Sequence, residues 1–148
     1  MLPFDVQKRL ALKLKLNKID NCGIVAPILL NEILAKQGLS TKLVQGYSSL
    51  SNETCWHVWV EVSKCNALGP VEKLDIGYTI ACLQDKEFLS CQMILHTNLV
   101  PGSKPPQKDT ESVDSWEVYQ KDSKEFWKKQ SIKIQNFRAK VLNEKWSL

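Results

Sequence analysis

The chain has no apolar run that approaches the roughly 20 residues needed for a membrane-spanning helix. Its N-terminal stretch alternates leucine with lysine. It lacks the unbroken apolar segment and small-residue cleavage site that mark a secretory signal. These absences predict a cytoplasmic protein without a membrane partner, or one whose signal has been removed.

No Cys-x-x-Cys pair occurs, and the number of cysteines is odd. Both observations argue against a disulfide framework and against a structural zinc site. A reducing compartment therefore fits best, and we expect neither a metal nor a cofactor. The five cysteines are Cys22, Cys55, Cys65, Cys82 and Cys91.

The net charge is a modest +4 over 148 residues, and 43% of the residues are hydrophobic. That length and composition predict one small domain with a real core. The charge is compatible with an acidic partner. No basic strand carries the interleaved aromatic residues that base stacking would need, so we do not expect a nucleic-acid partner.

Two helices are expected first, over residues 4–17 and 22–37. The first is rich in leucine, lysine and alanine, which favour helix. The second is largely apolar, and Gly38 follows it as a C-terminal cap would. Pro27 conflicts with the second helix because a proline inside a helix removes one backbone N–H donor. We therefore expect an irregular first turn or a kink there.

Strands are expected next, followed by a linker and a helical C-terminus. Runs rich in β-forming residues predict strands at Thr41–Tyr47, Cys55–Val62, Val71–Ile76 and Gln92–Leu99, with a polar turn at Ser48–Glu53. The chain then divides into a core at 1–100, a proline-rich linker at 101–111 and a C-terminal segment at 112–148. That segment reads as one or two amphipathic helices with a basic face, packed on the core or docking a partner protein.

Three residues of the first half suggest a catalytic triad for acyl transfer. Cys22 stands at the start of the apolar helix, where unpaired N–H groups favour a thiolate. His57 lies in the best predicted strand and could act as a base. Asp75 follows 18 residues later and could fix the tautomer of the imidazole. Glu61 shares the strand of His57 but lies roughly 13 Å along it, so Asp75 is the better partner.

The segments that carry these residues resemble the transglutaminase-like cysteine enzymes. Asn21-Cys22-Gly23 and the following helix match the family's cysteine segment. Trp56–Val62 resembles its HAWVEV strand, and Leu74–Tyr78 resembles its LDxT segment. The match covers roughly residues 20–80. Gln7 lies upstream of the cysteine, as a glutamine does in papain-like enzymes.

The resemblance implies an α+β, papain-like fold, in which a cysteine-bearing helix packs on an antiparallel sheet and a helical appendage follows. It implies Cys22 as nucleophile, His57 as general base and acid, and Asp75 as the residue that orients the histidine. Small members of the superfamily include the leader peptidases of lasso-peptide pathways. We therefore expect cleavage of a peptide or amide bond in a peptide or protein substrate. The alternatives are glutamine crosslinking or deamidation by the same triad, and a non-catalytic binding module.

Overall fold

The computed structural model describes residues 2–20, 22–50, 53–63, 71–84, 99–102 and 110–146. Within these ranges the chain is mixed helix and antiparallel sheet, which confirms the α+β class. The helices are α1 (Pro3–Leu16), α2 (Val25–Lys36), α3 (Ile76–Gln84), α4 (Thr110–Lys121), α5 (Ser123–Lys128) and α6 (Ile132–Asn143). The strands are β1 (Ser40–Leu50), β2 (Glu53–Ser63), β3 (Val71–Leu74) and β4 (Leu99–Pro101).

The two N-terminal helices form largely where the sequence predicts them. α2 begins at Val25, three residues later than expected, so Pro27 lies in its first turn. Proline is tolerated there because its fixed φ is compatible with the first turn of a helix. Gly38 has a φ of +87°, and the Leu39 N–H bonds to the Leu34 carbonyl oxygen at 3.3 Å. This left-handed cap ends the helix.

The sheet has the order β3-β2-β1-β4, and every neighbouring pair is antiparallel. β1 and β2 form a long hairpin in which Leu50 pairs with Glu53. The predicted polar turn at Ser48–Glu53 was therefore too long, because most of it belongs to the strands. The predicted strand at Gln92–Leu99 lies outside the described residues except for Leu99, where β4 begins.

The third predicted strand was wrong at its end. β3 stops at Leu74, and α3 starts at Ile76. Asp75 stands between them and caps the helix, since its side-chain Oδ1 accepts the N–H of Tyr78 at 3.2 Å. An aspartate before an apolar run is a helix-start signal that the strand prediction overlooked.

A single apolar cluster connects both halves of the chain. α2 packs on β1 and β2 and also contacts α1, α3 and α6. The C-terminal segment contains three short helices rather than one or two, because Asp122 and Ser131 cap new helices within it. Its buried apolar residues share the cluster with those of the first two helices; they are Trp116, Phe126, Trp127, Phe137, Val141 and Trp146.

No helix in the described ranges is long and apolar enough to cross a membrane.

Candidate active site

Cys22 lies just ahead of α2. Its carbonyl oxygen accepts the N–H of Ala26 at 2.8 Å, so the residue already takes part in the hydrogen-bonding pattern of the helix start. Its side chain is buried and belongs to the apolar cluster. The sequence predicts Cys22 as the first residue of the helix, whereas the structure places it three residues before Val25 and in an apolar setting.

The surroundings of Cys22 hold its thiol in the protonated form. Burial raises the pKa of the Cys22 thiol above its ordinary value, and this is the largest effect. A hydrogen bond from its own backbone lowers the pKa, and the nearby Asp20 carboxylate raises it again. The position at the helix start therefore does not make Cys22 a thiolate. A protonated thiol is a weak nucleophile unless a base removes its proton.

His57 and Asp75 form a direct pair. His57 Nε2 lies 2.6 Å from Asp75 Oδ2, although the two residues are 18 positions apart and come from different elements. The Asp75 side chain is 3% exposed and that of His57 23%. A carboxylate at this distance can accept the Nε2–H of the imidazole.

The cap of α3 holds Asp75 in place for this pairing. Its Oδ1 accepts the Tyr78 N–H at 3.2 Å, and its backbone carbonyl accepts the Thr79 N–H, also at 3.2 Å. One carboxylate oxygen is therefore used by the helix and the other by His57. This dual role fixes the rotamer of the acid, as an orienting carboxylate requires.

A buried polar contact between α1 and α3 supports the Asp75 cap. The Thr79 hydroxyl donates to the Asp75 carbonyl oxygen at 3.3 Å and accepts from Gln7 Nε2 at 2.9 Å. Gln7 is fully buried, and its Oε1 has no hydrogen-bond partner among the described residues. Sequence reasoning gave Gln7 no local role and missed Thr79. The four-residue spacing of Thr79 from Asp75 was the available signal.

Glu61 does not compete for His57. Its Oε2 accepts the indole N–H of Trp59 at 3.0 Å, and its Oε1 lies 3.9 Å from Lys42 Nζ. The Trp59 ring in turn lies beside the His57 ring, with centroids 5.7 Å apart. His57, Trp59 and Glu61 alternate along β2 and therefore share one face of the sheet.

The other face of β2 carries the residues that join the apolar cluster, namely Val58, Val60 and Val62. Cys22 belongs to that same cluster. In the part of the chain that the structure describes, no hydrogen bond joins the Cys22 thiol to His57 or Asp75. The structure therefore brings together His57 and Asp75, and it places Cys22 within the apolar cluster.

The described residues contain no group of three or more histidine, cysteine, aspartate or glutamate side chains that could hold a metal ion. Comparison with protein-family models, with curated proteins and with solved structures finds no match to this chain.

Proposed function

We propose that the protein is a thiol-dependent acyl-transfer enzyme of the transglutaminase-like, papain-like type, which cleaves a peptide or amide bond. Cys22 is the nucleophile, His57 the general base and acid, and Asp75 the residue that orients the histidine. The 2.6 Å contact between His57 Nε2 and Asp75 Oδ2 carries the proposal. A buried carboxylate held by a helix cap and bonded to a partly exposed imidazole is an arrangement suited to proton transfer.

In the proposed reaction, the His57 imidazole takes the proton from the Cys22 thiol as the sulfur attacks the substrate carbonyl carbon. The imidazolium, beside the Asp75 carboxylate, then returns the proton to the departing amine, and a thioester forms on Cys22. Water activated by the same imidazole attacks the thioester, which releases the acid and restores the thiol.

The raised pKa of Cys22 favours the protonated thiol in the resting protein. In the proposal, the thiol therefore gives its proton to His57 as the sulfur attacks the substrate. Asp75 matters here because its Oδ2 lies 2.6 Å from His57 Nε2 and can hold the imidazole in one orientation. The backbone N–H of Cys22 is the proposed oxyanion donor. Gln7 receives no such role, because its amide nitrogen bonds to Thr79.

The proposal takes water, rather than an amine, as the group that attacks the thioester. Crosslinking or deamidation of protein glutamine would use the same triad and the same thioester. A non-catalytic binding module has one observation in its favour, which is the buried Cys22 thiol without a hydrogen bond to His57. Turnover by the intact chain separates these alternatives.

The test is a peptide-library digest read by mass spectrometry, with wild-type protein, Cys22→Ala and Cys65→Ala. The proposal gives Cys65 no role, so that variant is the matched control for loss of a cysteine. We expect new peptide termini with wild type and Cys65→Ala and none with Cys22→Ala. Equal cleavage by Cys22→Ala would overturn the proposal. New isopeptide bonds or glutamate in place of glutamine, without cleavage, would replace hydrolysis by transfer or deamidation.

A further inference from the structure

The positive charge of the protein is concentrated at its C-terminus. Residues 120–148 contain eight lysine and arginine residues against three aspartate and glutamate residues. Their net charge of +5 exceeds the +4 of the whole chain, so residues 1–119 carry a net charge of −1. An acidic partner is therefore attracted to one end of the sequence rather than to the protein as a whole.

Part of this charge lines a groove between α5 and α6, which we call the basic groove. Its volume is about 580 Å³, and it is lined by Ser123, Lys124, Trp127, Lys128, Gln135 and Arg138. This volume falls within the roughly 300–1,000 Å³ typical of ligand sites. Among the described residues, the lining contains three cationic side chains and no carboxylate.

Contacts around the groove hold two of its walls in place. Arg138 donates from Nε and Nη2 to Glu32 Oε2 at 3.1 and 2.8 Å, and its guanidinium lies 4.4 Å from the Trp127 ring centroid. Gln135 Nε2 donates to the carbonyl oxygens of Lys128 and Gln130. Side chains that are already ordered lose less entropy when a ligand binds.

The cationic side chains of the groove have N–H donors that a ligand could use. Lys124 and Lys128 are exposed and lie one turn apart on α5, and neither forms an ion pair within the described ranges. The ion pair with Glu32 uses two donor groups of Arg138, and its Nη1 has no hydrogen-bond partner among the described residues. Three cations with unused donors fit carboxylates spaced along an extended chain.

The geometry points to the basic groove as a docking site for an acidic peptide segment, rich in glutamate or aspartate, of a substrate or partner protein. A nucleic acid fits less well, because single strands bind by stacking bases on open aromatic faces. Trp127 is only 8% exposed, with Arg138 above its ring and the Phe126 ring packed against it at 5.0 Å. An acidic peptide needs no open aromatic face, because its carboxylates bind through the positive charges of the groove.

The inference does not rest on the proposed chemistry, since no triad residue lines the groove. The test measures fluorescence anisotropy of a labelled hexaglutamate peptide on the full chain at low and moderate salt. The groove variant is Lys124→Gln/Lys128→Gln. The matched control, Lys140→Gln/Lys145→Gln, removes the same charge from exposed lysines that do not line the groove.

We expect hexaglutamate to bind in a salt-sensitive manner and labelled hexaglutamine not to bind. The groove variant should weaken binding about five-fold or more, and the control less than about two-fold. Equal weakening by both variants would show diffuse attraction and overturn the proposal, as would absence of binding at low salt. Tighter binding of a single-stranded oligothymidine, lost in the groove variant, would assign the groove to nucleic acid instead.

Discussion

The contact between Gln7 and Thr79 gives a sharp prediction because both side chains are buried. Thr79→Val keeps the shape of the side chain but removes the hydroxyl that accepts from Gln7 at 2.9 Å. Gln7 Oε1 already has no hydrogen-bond partner among the described residues. In the variant, Gln7 Nε2 would also lose its partner. A buried polar group left unsatisfied costs about 1–3 kcal/mol, so we expect the free energy of unfolding to fall by that amount.

The double variant distinguishes this cause from a general packing defect. Gln7→Met replaces the amide by an apolar chain of similar length. In Gln7→Met/Thr79→Val no amide remains to be buried unpaired, and the loss should be smaller than the sum of the single variants by about 1–2 kcal/mol. Thr79→Ser retains the hydroxyl and serves as the control for the contact.

The assay is urea unfolding followed by tryptophan fluorescence under reducing conditions. For a chain of this size each kcal/mol corresponds to about 2–4 °C in Tm, so a thermal scan provides an independent reading. Additivity of the two variants within about 0.5 kcal/mol would refute the reasoning, because the two side chains would then be energetically independent.

Three further predictions follow from single contacts. Gly46→Ala should destabilise the protein by more than about 2 kcal/mol in urea unfolding. The added Cβ would overlap the Val100 carbonyl oxygen and lie 2.5 Å from the Trp59 ring. Unchanged stability would contradict the close packing of these residues on Gly46. Because burial raises the pKa of the Cys22 thiol, the folded state binds its proton more tightly than the unfolded state. The stability of wild type should thus fall relative to Cys22→Ala as the pH rises above about 8.5, and a pH-independent difference would contradict this. Arg138→Gln should lower the free energy of unfolding by about 1–2 kcal/mol, because it leaves Glu32 without its cation and removes the cation from the Trp127 ring. An unchanged free energy of unfolding would show that these contacts do not stabilise the packing of α6.

The sequence was sufficient to predict those elements in which one pattern dominates. Helix-favouring composition predicted α1, and a run of β-forming residues predicted β2. It failed where one residue serves two elements. Asp75 ends a strand-like run, but its side chain caps α3, so the run was extended as a strand to Ile76.

The pairing of His57 with Asp75 was predictable because an antiparallel neighbour brings the end of β3 close to β2. The environment of Cys22 could not be predicted in the same way. Residue type and helix position suggest a stabilised thiolate, whereas burial and Asp20 raise its pKa. Desolvation depends on what packs around a side chain, and that is set by residues distant in sequence such as those of the apolar cluster.

The central claim is that His57 activates Cys22, and the rate of iodoacetamide alkylation of Cys22 tests it most directly. The rate would be followed from pH 6 to 10 by peptide mass spectrometry, in wild type, His57→Ala and Asp75→Asn, with the other cysteines as internal references. Rates at pH 10 correct for access of the reagent to a buried side chain. The account predicts that Cys22 at pH 7 reacts about ten-fold or more faster in wild type than in His57→Ala, with Asp75→Asn in between. Equal rates in all three proteins, rising only above the ordinary cysteine pKa, would identify Cys22 as a core thiol and contradict the account.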